Sequence, residues 1–168
     1  MPRFIVRYVR LVDWLNYGIG RFAMCLLFVL MGVLLWSTLT KMFATPALWT
    51  LEMAQFTMVA YYMLGGPYSM QMGSNVRMDL FYGGWSDRTR AAFDALTIFA
   101  LMFYLGVLLY GGIDSTIYAL SYGERSPSAW RPYIAPVKII SCIGITLMLL
   151  QCTAIFFRDV AKLRGEEI

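Results

Sequence analysis

The stretch FAMCLLFVLMGVLLWSTLTKMF, residues 22–43, decides the fold class of this chain. Lys41, its only charged residue, lies within a turn of its end. A helix needs about 20 predominantly apolar residues to cross the hydrocarbon core of a bilayer. Three further apolar stretches meet the same requirement: residues 48–73, 91–112 and 134–157. The sequence therefore predicts an all-α integral membrane protein with four transmembrane helices.

Composition limits the chain to one domain and removes several classes of function. Of its 168 residues, 60% are hydrophobic, so residues 1–168 are predicted to form a single membrane domain without a second, soluble one. The chain has no histidine, which excludes a bis-histidine haem, and its three cysteines fall inside predicted spans. Charged side chains inside membranes usually mark ion pathways and proton relays. Because none lies near the middle of a predicted span, we expect no catalytic residue, cofactor or metal site, and we expect a scaffold or an accessory subunit.

Lysine and arginine are unevenly distributed between the two sides of the predicted bundle. Ten lie in the amino-terminal segment, the loop after the second span and the tail, and four lie on the other side. Cytoplasmic loops carry an excess of these residues. The bias predicts that both termini and the middle loop are cytoplasmic, and that the turn at 44–47 and the loop at 113–133 face outward.

Residues 1–20 have a periodic pattern of their own. Their apolar residues recur on one face of a helix, with the arginines largely off that face. The apolar face consists of Phe4, Ile5, Tyr8, Leu11, Val12 and Leu15. This pattern predicts an amphipathic helix, which either lies in the membrane interface with its arginines among anionic headgroups or packs on the protein.

The second span contains small residues and one acidic residue. Gly65, Ser69 and Gly73 are four residues apart, a spacing that lets another helix approach closely, either in this chain or in a partner. Pro67 removes a backbone hydrogen bond, so we expect a kink there. Glu52 lies in the first turns of the helix. It is either stabilised by the helix N-terminus or forms a polar lock within the bundle or between subunits.

Two loops carry the remaining candidate residues. Arg77 and Asp79 follow the second span at the predicted cytoplasmic boundary. They either cap helices and contact headgroups or tie this exit to the third span or to a partner subunit. The outer loop combines aromatic and charged residues of the types enriched at interfaces. Its candidates for docking another protein are Glu124, Arg125, Trp130 and Arg131. The alternative is that the loop caps its own bundle and that its aromatic residues anchor the fourth span.

These segments, in this order, resemble the small membrane subunit of tripartite ATP-independent periplasmic (TRAP) transporters. The resemblance extends over nearly the whole chain. Its most specific parts are Trp49 to Glu52 at the start of the second span and the sequence Asn75-Val76-Arg77-Met78-Asp79-Leu80 after it. The family usually has a His-Val-Arg-Val-Asp-like sequence there, so Arg77 and Asp79 match whereas Asn75 and Met78 differ. Gly123-Glu124-Arg125-Ser126, with Trp130 and Lys138, is similar to a branch of the family associated with organic acids.

The resemblance implies a function that composition alone does not indicate. In this family a large, twelve-span permease subunit carries the substrate and sodium sites, and a periplasmic binding protein delivers the substrate. The small subunit braces the large one and helps to form the docking surface. The resemblance therefore implies a scaffold in the inner membrane of a bacterium or archaeon, with membrane lipids around it, no nucleic-acid partner and no cofactor of its own.

Two other classes of protein fit a four-span chain less well. A membrane enzyme or redox accessory subunit needs buried clusters of histidine, cysteine or carboxylate, which the sequence lacks. A small homo-oligomeric channel needs a polar face along a span. The fourth span has only Ser141, Thr146 and Gln151 for such a face.

Overall fold

A computed structural model of the chain describes residues 3–43, 47–73 and 87–163. These residues form four helices: α1 (Arg3–Phe43), α2 (Thr50–Gln71), α3 (Asp87–Tyr122) and α4 (Ala135–Leu163). Within the described ranges the only β-type pairing is an isolated bridge between Arg125 and Tyr133. The predicted all-α class is confirmed.

Three of the helices are long and apolar enough to cross a membrane. The candidate spans are Phe4–Phe43, Leu96–Tyr122 and Ala135–Ala161. Helix α2 has 22 residues but contains a carboxylate, two glutamines and a Gly-Gly-Pro sequence, which lower its apolar character. The membrane character of the fold agrees with the prediction. That α2 also crosses the membrane, which would make four spans in all, stays a prediction.

Helix α1 joins two segments that the sequence predicted separately. It continues without interruption for 41 residues, through the boundary expected at residue 21. At 1.5 Å per residue it is about 60 Å long, roughly twice the thickness of the hydrocarbon core. The interfacial position of residues 1–20 stays a prediction.

The amino-terminal half of α1 packs against the last helix. Val9 and Val12 are buried against Ala154 of α4, and Tyr8 meets Phe157 edge to face. The apolar face predicted for this segment is therefore only partly covered. Phe4 and Leu11, which were expected on the same face, are 79% and 63% exposed.

Helix α2 lies between α1 and α4, and α3 packs mainly on α4. Two glycines on the neighbouring helices allow the close contacts with α2. A Cβ atom at Gly20 of α1 would lie 2.4 Å from Cβ of Tyr68. A Cβ atom at Gly144 of α4 would lie 2.6 Å from the carbonyl oxygen of Met63. Neither position has room for a side chain, so the crossing geometry depends on both glycines.

The third helix is longer than predicted. Helix α3 continues to Tyr122, whereas the sequence placed the beginning of the outer loop at residue 113. Between 113 and 122 the chain has no glycine or proline, so nothing in the sequence stops the helix. Gly123, with a φ of +59°, ends it. The outer loop is thus a short segment, residues 123–134.

Candidate functional site

The outer loop is a compact hairpin fixed by its own backbone. The amide of Ser126 donates to the carbonyl of Pro132 at 2.9 Å, and the amide of Ile134 donates to the carbonyl of Glu124 at 3.1 Å. Arg131 has a φ of +52°, a conformation that is uncommon outside glycine, and its amide donates to Oγ of Ser128 at 3.2 Å. The loop therefore presents its side chains from a defined backbone.

The four predicted docking residues of this loop have different environments. Oε2 of Glu124 lies 2.5 Å from Nζ of Lys138, so Glu124 is held against α4. The guanidinium of Arg125 stacks over the ring of Tyr133, 4.3 Å from its centroid, and donates to its hydroxyl. Trp130 and Arg131 are exposed and meet no such partner among the described residues. The outward charge of the loop is consequently positive.

Glu52 ties the start of α2 to the same loop. Its side chain is buried, 5% exposed, and Oε1 accepts a hydrogen bond from the Ser126 hydroxyl at 2.7 Å. Oε2 has no hydrogen-bond partner among the described residues. The position in the first turn of α2 adds the favourable interaction of a carboxylate with a helix N-terminus. Glu52 therefore lies in the first turn of α2 and is hydrogen-bonded to the outer loop of this chain, and its role as a polar lock stays a prediction.

A second polar contact secures the same end of the bundle. The Thr50 hydroxyl, at the beginning of α2, donates to Oγ of Ser37 at 3.1 Å, and both residues are buried. Since Ser37 belongs to α1, the start of α2 is connected to α1 by this bond and to the outer loop by Glu52.

A polar network that the sequence analysis missed lies near the opposite end of the bundle. It connects α1 to α4 through Asn16, which donates to Oε1 of Gln151 at 2.6 Å. Nε2 of Gln151 donates to Asp13 at 3.2 Å, and Arg158 forms an ion pair with the same carboxylate. Nε2 of Gln71, at the end of α2, donates to the Asp13 carbonyl at 3.3 Å. Three helices therefore meet at Asp13.

The spacing of polar residues along the sequence indicates this network. Asp13 and Asn16 are three residues apart, and Gln151 and Arg158 are seven apart, so each pair lies on one helical face. A polar residue in an apolar helix favours contact with another one, because lipid offers no hydrogen bonds. Matching the isolated polar faces of α1 and α4 would have predicted the contact.

The small residues of α2 have different environments. A Cβ atom at Gly65 would lie 4.0 Å from Cβ of Ala23, in ordinary contact with α1. Ser69 is half-buried. Gly73 follows the end of α2 with a φ of +64°, and no atom lies within 4 Å of its Cβ position. Gly73 is thus placed to terminate the helix, and the tightest contacts involve glycines of the neighbouring helices instead.

The predicted pair Arg77 and Asp79, with the rest of the sequence Asn75 to Leu80, lies outside the described residues. Their role stays a prediction. The described part of the chain contains no group of three or more histidine, cysteine, aspartate or glutamate residues that could hold a metal ion.

Comparison with known proteins gives one result. The family model described as tripartite ATP-independent periplasmic transporters, DctQ component, matches residues 30–162, more than three quarters of the chain. No curated protein and no solved structure matches significantly.

Proposed function

Because the chain belongs to the DctQ family of tripartite ATP-independent periplasmic transporters, we propose that it is the small subunit that braces a large permease subunit. The family match over residues 30–162 is the observation that carries this proposal. Substrate and sodium would bind to the large subunit, and a periplasmic binding protein would deliver an organic acid. This chain would provide a fixed wall in the inner membrane, with both termini in the cytoplasm.

The distribution of polar contacts supports a static role. Glu52 and Thr50 connect the start of α2 to the outer loop and to α1, whereas Asp13 joins α1, α2 and α4 near the other end. Helices α1 and α2 are therefore tied to neighbouring segments at both ends of the bundle. A carrier that moves substrate needs helices that separate. In this bundle, hydrogen bonds at the helix ends oppose such a separation.

The bundle exposes many large apolar side chains. The outward face of α3 includes Phe103, Tyr110 and Ile117, which are 72%, 79% and 57% exposed. Lipid and a partner subunit are the two environments that accept such a surface. We propose that the large subunit covers part of it.

We also propose that the outer loop docks the binding protein through positive and aromatic groups. Arg125, Trp130 and Arg131 are exposed, whereas Glu124 is engaged by Lys138. From Leu96 to Tyr122, α3 is about 40 Å long, so its end extends past a hydrocarbon core of about 30 Å. If the predicted topology holds, a helix of this length would carry the loop to where a periplasmic protein can reach it, which supports the proposal. An acidic patch on the binding protein would complement its charge.

Co-purification and reconstitution test the main proposal. We expect the affinity-tagged chain to retain a large, twelve-span partner in detergent, and we expect uptake by vesicles to require both subunits and the binding protein. The purified small subunit alone should not bind the transported acid. Saturable binding of that acid to the small subunit, or a stable homo-oligomer with uptake activity of its own, would contradict the proposal.

A further inference from the structure

A groove crosses the surface of the bundle where α1, α2 and α4 meet, and Leu101 of α3 also lines it. Its volume is about 580 Å³, and its walls include Gly20 and Ala23 of α1, Gly65 of α2 and Met148 of α4. Three of these four residues have no side-chain atom beyond Cβ, so the helices leave space that larger residues would fill. Tyr62, which also lines the groove, is 58% exposed. The groove therefore opens to whatever surrounds the bundle.

The dimensions of the groove limit its occupant. Its lining residues on α2 run from Tyr61 to Met70, a length of about 14 Å at 1.5 Å per residue. The length is about half of a hydrocarbon core of about 30 Å, which corresponds to one leaflet.

A positive charge lies beside the groove. Arg21 is adjacent in sequence to the groove residue Gly20, is exposed and forms no ion pair with a described residue. Its guanidinium lies 5.9 Å from the centroid of the Tyr17 ring. The Tyr17 ring is in turn 5.8 Å from the ring of Tyr68, which lines the groove. Arg21 therefore contacts an aromatic ring that itself contacts a ring lining the groove.

We infer that the groove binds one acyl chain of an anionic phospholipid whose phosphate is held by Arg21. The apolar interior fits a hydrocarbon chain, and its length fits one leaflet. The adjacent cation selects a negative headgroup. On the predicted topology Arg21 is at the cytoplasmic boundary, where basic pockets between membrane helices bind anionic lipids. The inference depends on membrane embedding and is independent of the proposed role in transport.

Native mass spectrometry of the full chain tests the site with phosphatidylglycerol and phosphatidylcholine as probes. We expect one retained phosphatidylglycerol per chain, preferred over phosphatidylcholine about fivefold, the factor expected for one basic residue near the membrane surface. Arg21→Gln should abolish the preference, whereas the control Arg10→Gln, at another exposed arginine of α1, should preserve it. Equal losses for the two variants would overturn the assignment of the headgroup to Arg21.

Filling the groove tests the position of the acyl chain. A Cβ atom at Gly65 has an ordinary contact of 4.0 Å, so Gly65→Leu can fold while its outer carbons occupy the groove. It should reduce retention of both lipids. The matched control is Gly32→Leu, because Gly32 of α1 does not line the groove and has nothing within 4 Å of its Cβ position. Equal retention by the two variants would refute the site.

A measurement on the unaltered protein is independent of folding defects in the variants. Phosphatidylglycerol with a photoreactive group in its acyl chain should crosslink to peptides that contain Met24 or Tyr62, which line the groove. Crosslinks confined to the outward face of α3, or spread evenly over all four helices, would mean that the groove holds no lipid chain.

Discussion

At the scale of single residues, this protein uses its few buried polar groups to connect helices. Asn16 and Gln151 are 1% and 0% exposed, and they bond to each other. A polar side chain in an apolar surrounding has little alternative to such a partner, since an unpaired one is costly. These contacts therefore specify which faces of α1 and α4 meet. Apolar contact alone would favour one face over another less strongly.

The ion pair between Asp13 and Arg158 should contribute measurably to stability. Arg158→Ala leaves the Asp13 carboxylate, whose side chain is only 17% exposed, without its cation. We expect a loss of about 2 kcal/mol, because removing one partner strands a hydrogen-bonded charge. Asp13→Ala combined with Arg158→Ala should cost less than the sum of the single changes. Thermal unfolding of the purified chain measures this, with the exposed Arg10→Ala as control. Additive losses would mean that the two side chains act separately.

Glu52 and Ser126 provide a second test at this scale. Ser126→Ala removes the hydrogen-bond donor to Oε1 and leaves a buried carboxylate without any side-chain donor among the described residues. We expect a loss of about 1–3 kcal/mol in the free energy of unfolding, the cost of leaving a buried acceptor unsatisfied. The control Ser121→Ala changes an exposed serine that bonds only within α3. If the two alanine variants have the same melting temperature, the Glu52 contact does not stabilise the bundle.

At the scale of helices, close packing depends on two glycines. A methyl group at Gly144 would lie 2.6 Å from a backbone oxygen of α2, which cannot rotate away. Gly144→Ala should therefore destabilise the bundle by about 1–3 kcal/mol through overpacking. Gly106→Ala in α3 is the matched control. With nothing within 4 Å of its Cβ position, it should be neutral or slightly stabilising. A stable Gly144→Ala variant would show that α2 and α4 can separate without cost.

The helices could be predicted from the sequence, and their contacts could be predicted only in part. Long apolar stretches force helical structure, because lipid satisfies no backbone hydrogen bond. Spacing alone does not show which glycine faces a neighbour: it indicates Gly65, Ser69 and Gly73 on α2, whereas the closest contacts are at Gly20 and Gly144. The apolar stretch ends before Asp114, but α3 continues to Tyr122, because a single exposed aspartate is compatible with a helix. The Glu124–Lys138 pair depends on how the loop folds back on α4, which a linear pattern does not contain.

At the scale of the whole molecule, the outer loop should affect transport without affecting assembly. Arg125→Glu combined with Arg131→Glu reverses both exposed positive charges of the loop, and rim charges chiefly change the association rate. We expect the half-saturating concentration of binding protein to rise at low ionic strength, with an unchanged yield of the membrane complex. Glu124→Gln is the contrasting variant, because it breaks the ion pair with Lys138. We expect it to affect the stability of the bundle more than the docking of the binding protein. If the charge-reversed variant and the parent have the same half-saturating concentration, the loop only anchors α4.

The uninterrupted course of α1 fixes the rotational phase between its two halves. Asn16 faces Gln151 of α4, whereas Gly20, about one turn later, faces Tyr68 of α2. Each residue turns an α-helix by about 100°. One residue inserted between these two positions would swing the amino-terminal half of α1, with Asp13 and Val9, away from α4 by that angle. No loop is present there to absorb the change. The segment from Asn16 to Gly20 should therefore tolerate substitution at its exposed positions, such as Gly18, far better than any change in its length.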